Sequence, residues 1–275
     1  MTARTLAAAL GAHWRTGERS LPLVLLLGGL ASTAWLMLWL WSASPYARYI
    51  EHEGWTQVGA FAALCRAIPA GGAIVPALVH ALAWVLMIAA MMLPTTIPVA
   101  TLFRRIIGGR PDAARLTALM LLGFFVAWLA FGLVAHVADL ALHQAALSSP
   151  VFVSYGPLIG AAVLAGAGLF QFSALKYRCL EQCHTPFAFV AARWHGRAPA
   201  REAFRLGIDH GLFCVGCCWA LMLLMFVVGT GSLGWMLALA AVMAAEKNLP
   251  WGARLRVPLG VGLLGWSAAV IATRI

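Results

Sequence analysis

The sequence predicts an all-α, polytopic membrane helix bundle, with about seven transmembrane helices in a single integral membrane domain spanning residues 1–275. Three observations predict it. Hydrophobic residues make up 63% of the chain and charged residues only 10%, whereas soluble domains carry about 25% charged residues. Apolar runs recur at the length that crosses a bilayer, roughly 20 residues for a helix. Lysine and arginine fall in the short segments between those runs, and their density alternates along the chain, as the positive-inside rule requires.

The first run is Pro22 to Trp41. Ser42-Ala43-Ser44 after it resembles a signal-peptidase site, but the apolar core exceeds the about 7–15 residues of a signal peptide, so an uncleaved anchor is expected. The second run, Pro76 to Ala100, contains Pro94 and Pro98. Proline lacks the N–H that a helix interior needs, so this span is expected to kink and to free backbone carbonyls. The third run is Leu116 to Ala138, with His136 and Asp139 at its outer end, read as an exposed interfacial pair. The fourth, Tyr155 to Leu175, holds Gln171, a candidate for an interhelical hydrogen bond. The fifth is Gly207 to Val228, and the sixth, Leu233 to Ala245, is short for a full span. Glu246-Lys247 closes the sixth, with Lys247 expected as an interfacial anchor. The seventh is Val257 to Thr273.

Two connecting segments are long. In residues 42–75, Trp55, Val58, Phe61, Ala62, Cys65 and Ile68 recur at helical spacing, which predicts an amphipathic helix lying on the outer membrane surface. His52, between Glu51 and Glu53, reads as a solvated patch of the same segment. Residues 176–206 form a cytoplasmic loop with a Cys/His cluster, followed by a basic stretch containing Pro186 and Pro199. No internal repeat supports an inverted-repeat transporter.

With the N-terminus cytoplasmic and seven spans, sixteen of the nineteen Lys and Arg residues fall on the inside and only Arg48, Arg66 and Arg274 on the outside. Adding or losing one span scrambles that division. The net charge of +10 therefore reports orientation in the lipid bilayer, not nucleic-acid binding. Six cysteines do not make a disulfide framework here. Five lie in the expected cytoplasmic loop or within the bilayer, and Cys65 has no evident partner.

The fifth span carries the unusual chemistry, in the stretch Asp209-His210-Gly-Leu-Phe-Cys214-Val-Gly-Cys217-Cys218-Trp219. Ionisable groups inside a membrane helix are expensive and mark functional sites. From His210, Cys214 is i+4, Cys217 is i+7 and Cys218 is i+8, so the four share one stripe, with Asp209 beside it. At 1.5 Å per residue, Cys217 and Cys218 lie roughly 10–15 Å deeper than His210. One buried cysteine packs as a small hydrophobe; three, with His and Asp, point to a ligand set. Thiolate and imidazole suit Cu(I), zinc or iron–sulfur centres.

A second cluster, Cys179-x3-Cys183-His184, puts two thiols on one helical face just past the inner end of the fourth span. Zinc-like spacings normally come with a second pair, and Asp209, His210 and Cys214 on the same side of the membrane are available to complete the set. In the second span, Met87 and Met91 are i and i+4, with Met92 adjacent. Thioethers are soft donors suited to Cu(I), although methionine also fills gaps in cores. Glu246 is a candidate to orient a ligating histidine through its carboxylate. Copper is favoured over zinc or iron.

These motifs carry a resemblance. Ala90-Met91-Met92-Leu93-Pro94, Lys176-x2-Cys179-x3-Cys183, Gly207-x3-Gly211-x2-Cys214-x-Gly216-Cys217-Cys218-Trp219-x2-Met222, Trp235-Met236 and Glu246-Lys247 make the chain similar to the bacterial predicted metal-binding integral membrane proteins, over roughly residues 75–271. The resemblance implies metal binding and a multi-pass place in the bacterial inner membrane. It implies no established reaction. Three functional classes follow: copper(I) handling or transport with a metal-donor or metal-acceptor protein; a membrane metalloenzyme or thiol oxidoreductase using Cys214, Cys217 and Cys218; and a subunit assembled with other membrane subunits.

Overall fold

A computed structural model of the chain describes residues 3–43, 74–148, 156–228 and 232–273. The expected surface helix, Cys65 and the His52 patch fall in 44–73, outside the described residues. The described chain is all-α. Its elements are α1 (Ala3–Ser42), α2 (Ile74–Met91), α3 (Leu93–Ile106), α4 (Ala113–Ser148), α5 (Gly156–Phe170), α6 (Ala174–His184), α7 (Pro186–Ala191), α8 (Pro199–Val228), α9 (Leu233–Asn248), a 3₁₀ turn over Gly252–Leu255, and α10 (Arg256–Ala272).

Four stretches are long and apolar enough to cross a membrane: Leu21–Ser42, Ala113–Leu142, Pro199–Val227 and Gly252–Ala272. Two bent pairs, α2 with α3 and α5 with α6, raise the number to six if each pair is one span. The sixth expected run becomes α9, of 16 residues. At 1.5 Å per residue it reaches about 24 Å, short of a hydrocarbon core of about 30 Å.

The α2–α3 pair bends by 65°, and its cause is local. Pro94 has no N–H to give the Ala90 carbonyl, and its ring crowds that oxygen. The helix breaks at Met92, and Trp35 of α1 donates its indole N–H to the Ala90 oxygen at 3.0 Å. The Met92 carbonyl at the break accepts from the Thr95 N–H at 3.1 Å, Thr95 Oγ1 at 2.8 Å and Thr96 Oγ1 at 3.1 Å. Pro98 lies inside α3 without a second break, so of the two prolines only Pro94 acts as expected. The α5–α6 pair bends by 60°. There Ser173 caps α6, its hydroxyl accepting the Lys176 N–H at 3.1 Å, the usual way a helix start satisfies an orphan donor.

α8 is the central element. Sixty-seven per cent of its apolar stretch is buried, against 39% for α4 and 17% for the C-terminal span. It packs along α4 and also touches α5, α6 and α9. Glycine permits the α4–α8 approach: a Cβ at Gly207 would overlap the Met120 carbonyl, and one at Gly211 would meet Ala127 Cβ at 2.6 Å. Gly207-x3-Gly211 is thus a small-residue seam of the membrane type. On α4, Asp139 is buried at 3% exposure, so the His136–Asp139 pair is not the exposed one expected.

Candidate metal centre

Four elements meet at the middle of α8. The sequence of α8 puts Cys214, Cys217 and Cys218 on its most buried face, each 1% exposed. Cys217 Sγ donates to the Cys214 carbonyl at 3.1 Å, and Cys218 Sγ donates to the same oxygen at 2.7 Å. These are the i−3 and i−4 back-bonds open to a short polar side chain in a helix. The bonds turn both sulfurs to one side, where they lie 3.9 Å apart.

The break between α2 and α3 delivers Met92 to this point. Its thioether lies 3.9 Å from Cys218 Sγ. From α6, Cys183 packs against the same core, partly buried. Cys179, one turn earlier, packs on Gly216, where an added Cβ would stand 2.6 Å from its sulfur. Gly216 therefore lets α6 approach α8 closely enough to seat the Cys179 sulfur against its backbone. All five cysteines among the described residues are free thiols.

The fourth element, α9, brings a cation. Lys247 is 5% exposed, and its ammonium lies 2.8 Å from Cys214 Sγ and 3.8 Å from Met92 Sδ. The expectation of an interfacial anchor is corrected: the α9 turn aims this side chain inward, among sulfur atoms. Lys176, expected as a loop cation, is likewise fully buried. Its ammonium meets both Glu246 oxygens at 2.8 Å and also donates to Gln171 Oε1. Gln171, at the α5–α6 break, accepts from Lys176 within the same bent pair, so its bond is local and not the one between separate spans that was expected.

Glu246 plays two parts. Its carboxylate holds Lys176, while its main-chain carbonyl meets His184 Nε2 at 2.7 Å. A carbonyl only accepts, so Nε2 carries the hydrogen of this bond. The expected role of the Glu246 carboxylate is corrected: it holds Lys176, and His184 is met only by the Glu246 backbone. His184 also lines an open groove of about 610 Å³ with Thr101, Arg105 and Phe187.

The remaining expected residues lie elsewhere. Asp209 pairs with Arg193 at 2.9 Å on a half-exposed edge of α8, and that guanidinium sits 4.1 Å above the Phe189 ring. His210 is 3% exposed. Its ring stacks on Phe124 at 5.5 Å and meets Phe189 edge-on at 5.7 Å. Its Nε2 has no hydrogen-bond partner among the described residues. Met87 and Met91 are buried in the same apolar core, but the thioether seated against the thiols is that of Met92.

A metal–thiolate bond is about 2.3 Å in zinc sites, so two sulfurs on one ion stand at most about 4.6 Å apart. The 3.9 Å separations Cys217–Cys218 and Cys218–Met92 fall within that reach. The donors are sulfur, which suits a soft ion. No group of three or more His, Cys, Asp or Glu side chains among the described residues is arranged to hold a metal ion. What converges is two thiols, a thioether and an ammonium, with Cys183 and Cys214 at the margins. Lys247, Lys176 and Gly216 were not legible as parts of this cluster. They entered only as positions of the family resemblance, and a lysine beside an apolar run ordinarily means interfacial anchoring.

No curated protein and no solved structure is similar to the chain. The model of the PpoB2 family, described as a copper chaperone, matches residues 81–270. That stretch runs from α2 to α10 and contains every sulfur of the cluster. The chain therefore belongs to the PpoB2 copper-chaperone family.

Proposed function

We propose that the protein is an integral membrane protein that takes up copper(I) on Cys217, Cys218 and Met92, with Cys183 and Cys214 as exchange partners, and passes it to an acceptor protein. The observation that carries this reading is the meeting of buried sulfur atoms from α8 and the α2–α3 break, with the α6 sulfur of Cys179 against Gly216. Soft donors favour copper(I), and the family match supports copper as the cargo. Cys179 and His184 serve the cytoplasmic approach in this reading. Asp209, His210, Met87 and Met91 are left out of the ion-holding set. The first is tied to Arg193 and the second lies in an aromatic box. The charge division supports seven spans in the bacterial inner membrane, with a cytoplasmic N-terminus.

Elemental analysis tests the reading. Full-length protein, purified in detergent and loaded anaerobically with copper(I), is expected to retain one copper per chain. Cys217→Ser and Cys218→Ser are each expected to lose most of it. Full copper content in the Cys214→Ser, Cys217→Ser and Cys218→Ser variants alike would sink the assignment.

A further inference from the structure

We propose that Lys247 makes this site selective for a monovalent soft ion over a divalent one, because its buried charge requires the filled site to carry a single negative charge. The inference rests on the copper(I) reading above.

Three charged side chains are buried around the cluster: Lys176, Glu246 and Lys247, at 0%, 2% and 5% exposure. Lys176 and Glu246 close on each other as an ion pair at 2.8 Å. The partners of Lys247 are Cys214 and Met92 sulfurs. No carboxylate among the described residues lies within ion-pair distance of it. With its cysteines counted as thiols, the empty cluster thus holds a surplus of one positive charge. An uncompensated charge in a low-dielectric interior is expensive, so the most stable filled site is one whose ion and ligands together carry −1.

The available ligand sets can be separated by that count. Copper(I) replaces the protons of two thiols: two S–H bonds break, two S–Cu bonds form, the protons pass to solvent, and no electron moves. Two thiolates and one copper(I) sum to −1, and a methionine thioether adds a donor without adding charge. The Cys217, Cys218 and Met92 sulfurs, stepped at 3.9 Å, are that set. A divalent ion on the same two thiolates sums to zero and leaves Lys247 uncompensated. On four thiolates it sums to −2. Only three thiolates give a divalent ion the right charge, and no three such donors are arranged around one point among the described residues. Lys247 stands against Cys214 and Met92 at the edge of this set, so its charge acts at close range on the filled site.

The test compares anaerobic binding of copper(I) and of zinc(II) to the full chain in detergent, for wild type, Lys247→Met, Lys247→Gln and Lys247→Arg. Wild type is expected to prefer copper(I). Removing the charge in the Met or Gln variant is expected to weaken copper(I) by at least about tenfold, as loss of a buried counter-charge does, and to leave zinc(II) unchanged or tighter. Lys247→Arg is expected to restore the preference. X-ray absorption on the copper-loaded wild type is expected to show sulfur-only, three-coordinate copper. An unchanged copper-to-zinc preference in a folded Met or Gln variant overturns the role of Lys247 while leaving the copper site standing. A wild type that binds copper(I) but holds zinc(II) as tightly does the same even if the neutral variants fail to fold. A wild type that binds no copper(I) overturns the site reading itself.

Discussion

Cys217 and Cys218 share one acceptor, the Cys214 carbonyl, and so are held in a common rotameric direction before any ion arrives. Met92 completes the set from another element. Met92→Leu keeps volume, so its cost in stability is expected below about 1.5 kcal/mol. Copper(I) affinity is nonetheless expected to fall, because the third sulfur is gone; a chelator-competition titration beside a thermal melt separates the two. The Lys176–Glu246 pair belongs to the same scale. Glu246→Ala leaves a buried ammonium without its carboxylate and is expected to cost about 3–5 kcal/mol, whereas the double change Lys176→Met with Glu246→Leu is expected to recover most of it. Thermal unfolding in detergent checks this, and a double variant no better than Glu246→Ala would refute it. The cysteine types and their i, i+3 and i+4 spacing were legible before the fold was known. The selection of Met92 over Met87 and Met91 was not, because helical periodicity carries across a break as if the helix were straight.

At the scale of elements, the α2–α3 break is the device that seats Met92. Pro94 removes the donor for the Ala90 carbonyl, and Trp35 replaces it from α1. Trp35→Phe is therefore expected to leave a polar group unsatisfied, at about 1–3 kcal/mol. The same change in a Pro94→Ala background is expected to cost less, since the helix can then supply its own N–H. A double-mutant cycle on thermal stability reads the difference, and equal costs in both backgrounds would refute the coupling. The α4–α8 seam makes a second prediction. Gly207→Leu drives a side chain into the Met120 backbone, beyond the about 1–3 kcal/mol typical of overpacking, and is expected to abolish a monodisperse peak in gel filtration. The sequence marked a kink in this span, but not that a tryptophan 55 residues from Ala90 would cover the carbonyl that Pro94 frees.

At the scale of the whole molecule, reporter fusions are expected to place the N-terminus inside and the C-terminus outside. A shared side would remove the seven-span topology while leaving the sulfur cluster intact. The chain by itself determined a helical, apolar protein with runs long enough to cross a membrane and with clustered soft donors, because composition, run length and side-chain chemistry are properties of residues one at a time or a few apart. Only the tertiary structure decided which sulfurs meet, that Glu246 orients His184 through its backbone, and that Lys176 and Lys247 turn inward. The physical reason is burial. A lysine beside an apolar run has the same sequence signature whether its ammonium reaches water or a buried carboxylate, and only the packing of α6 and α9 against α8 settles which of those ends it meets.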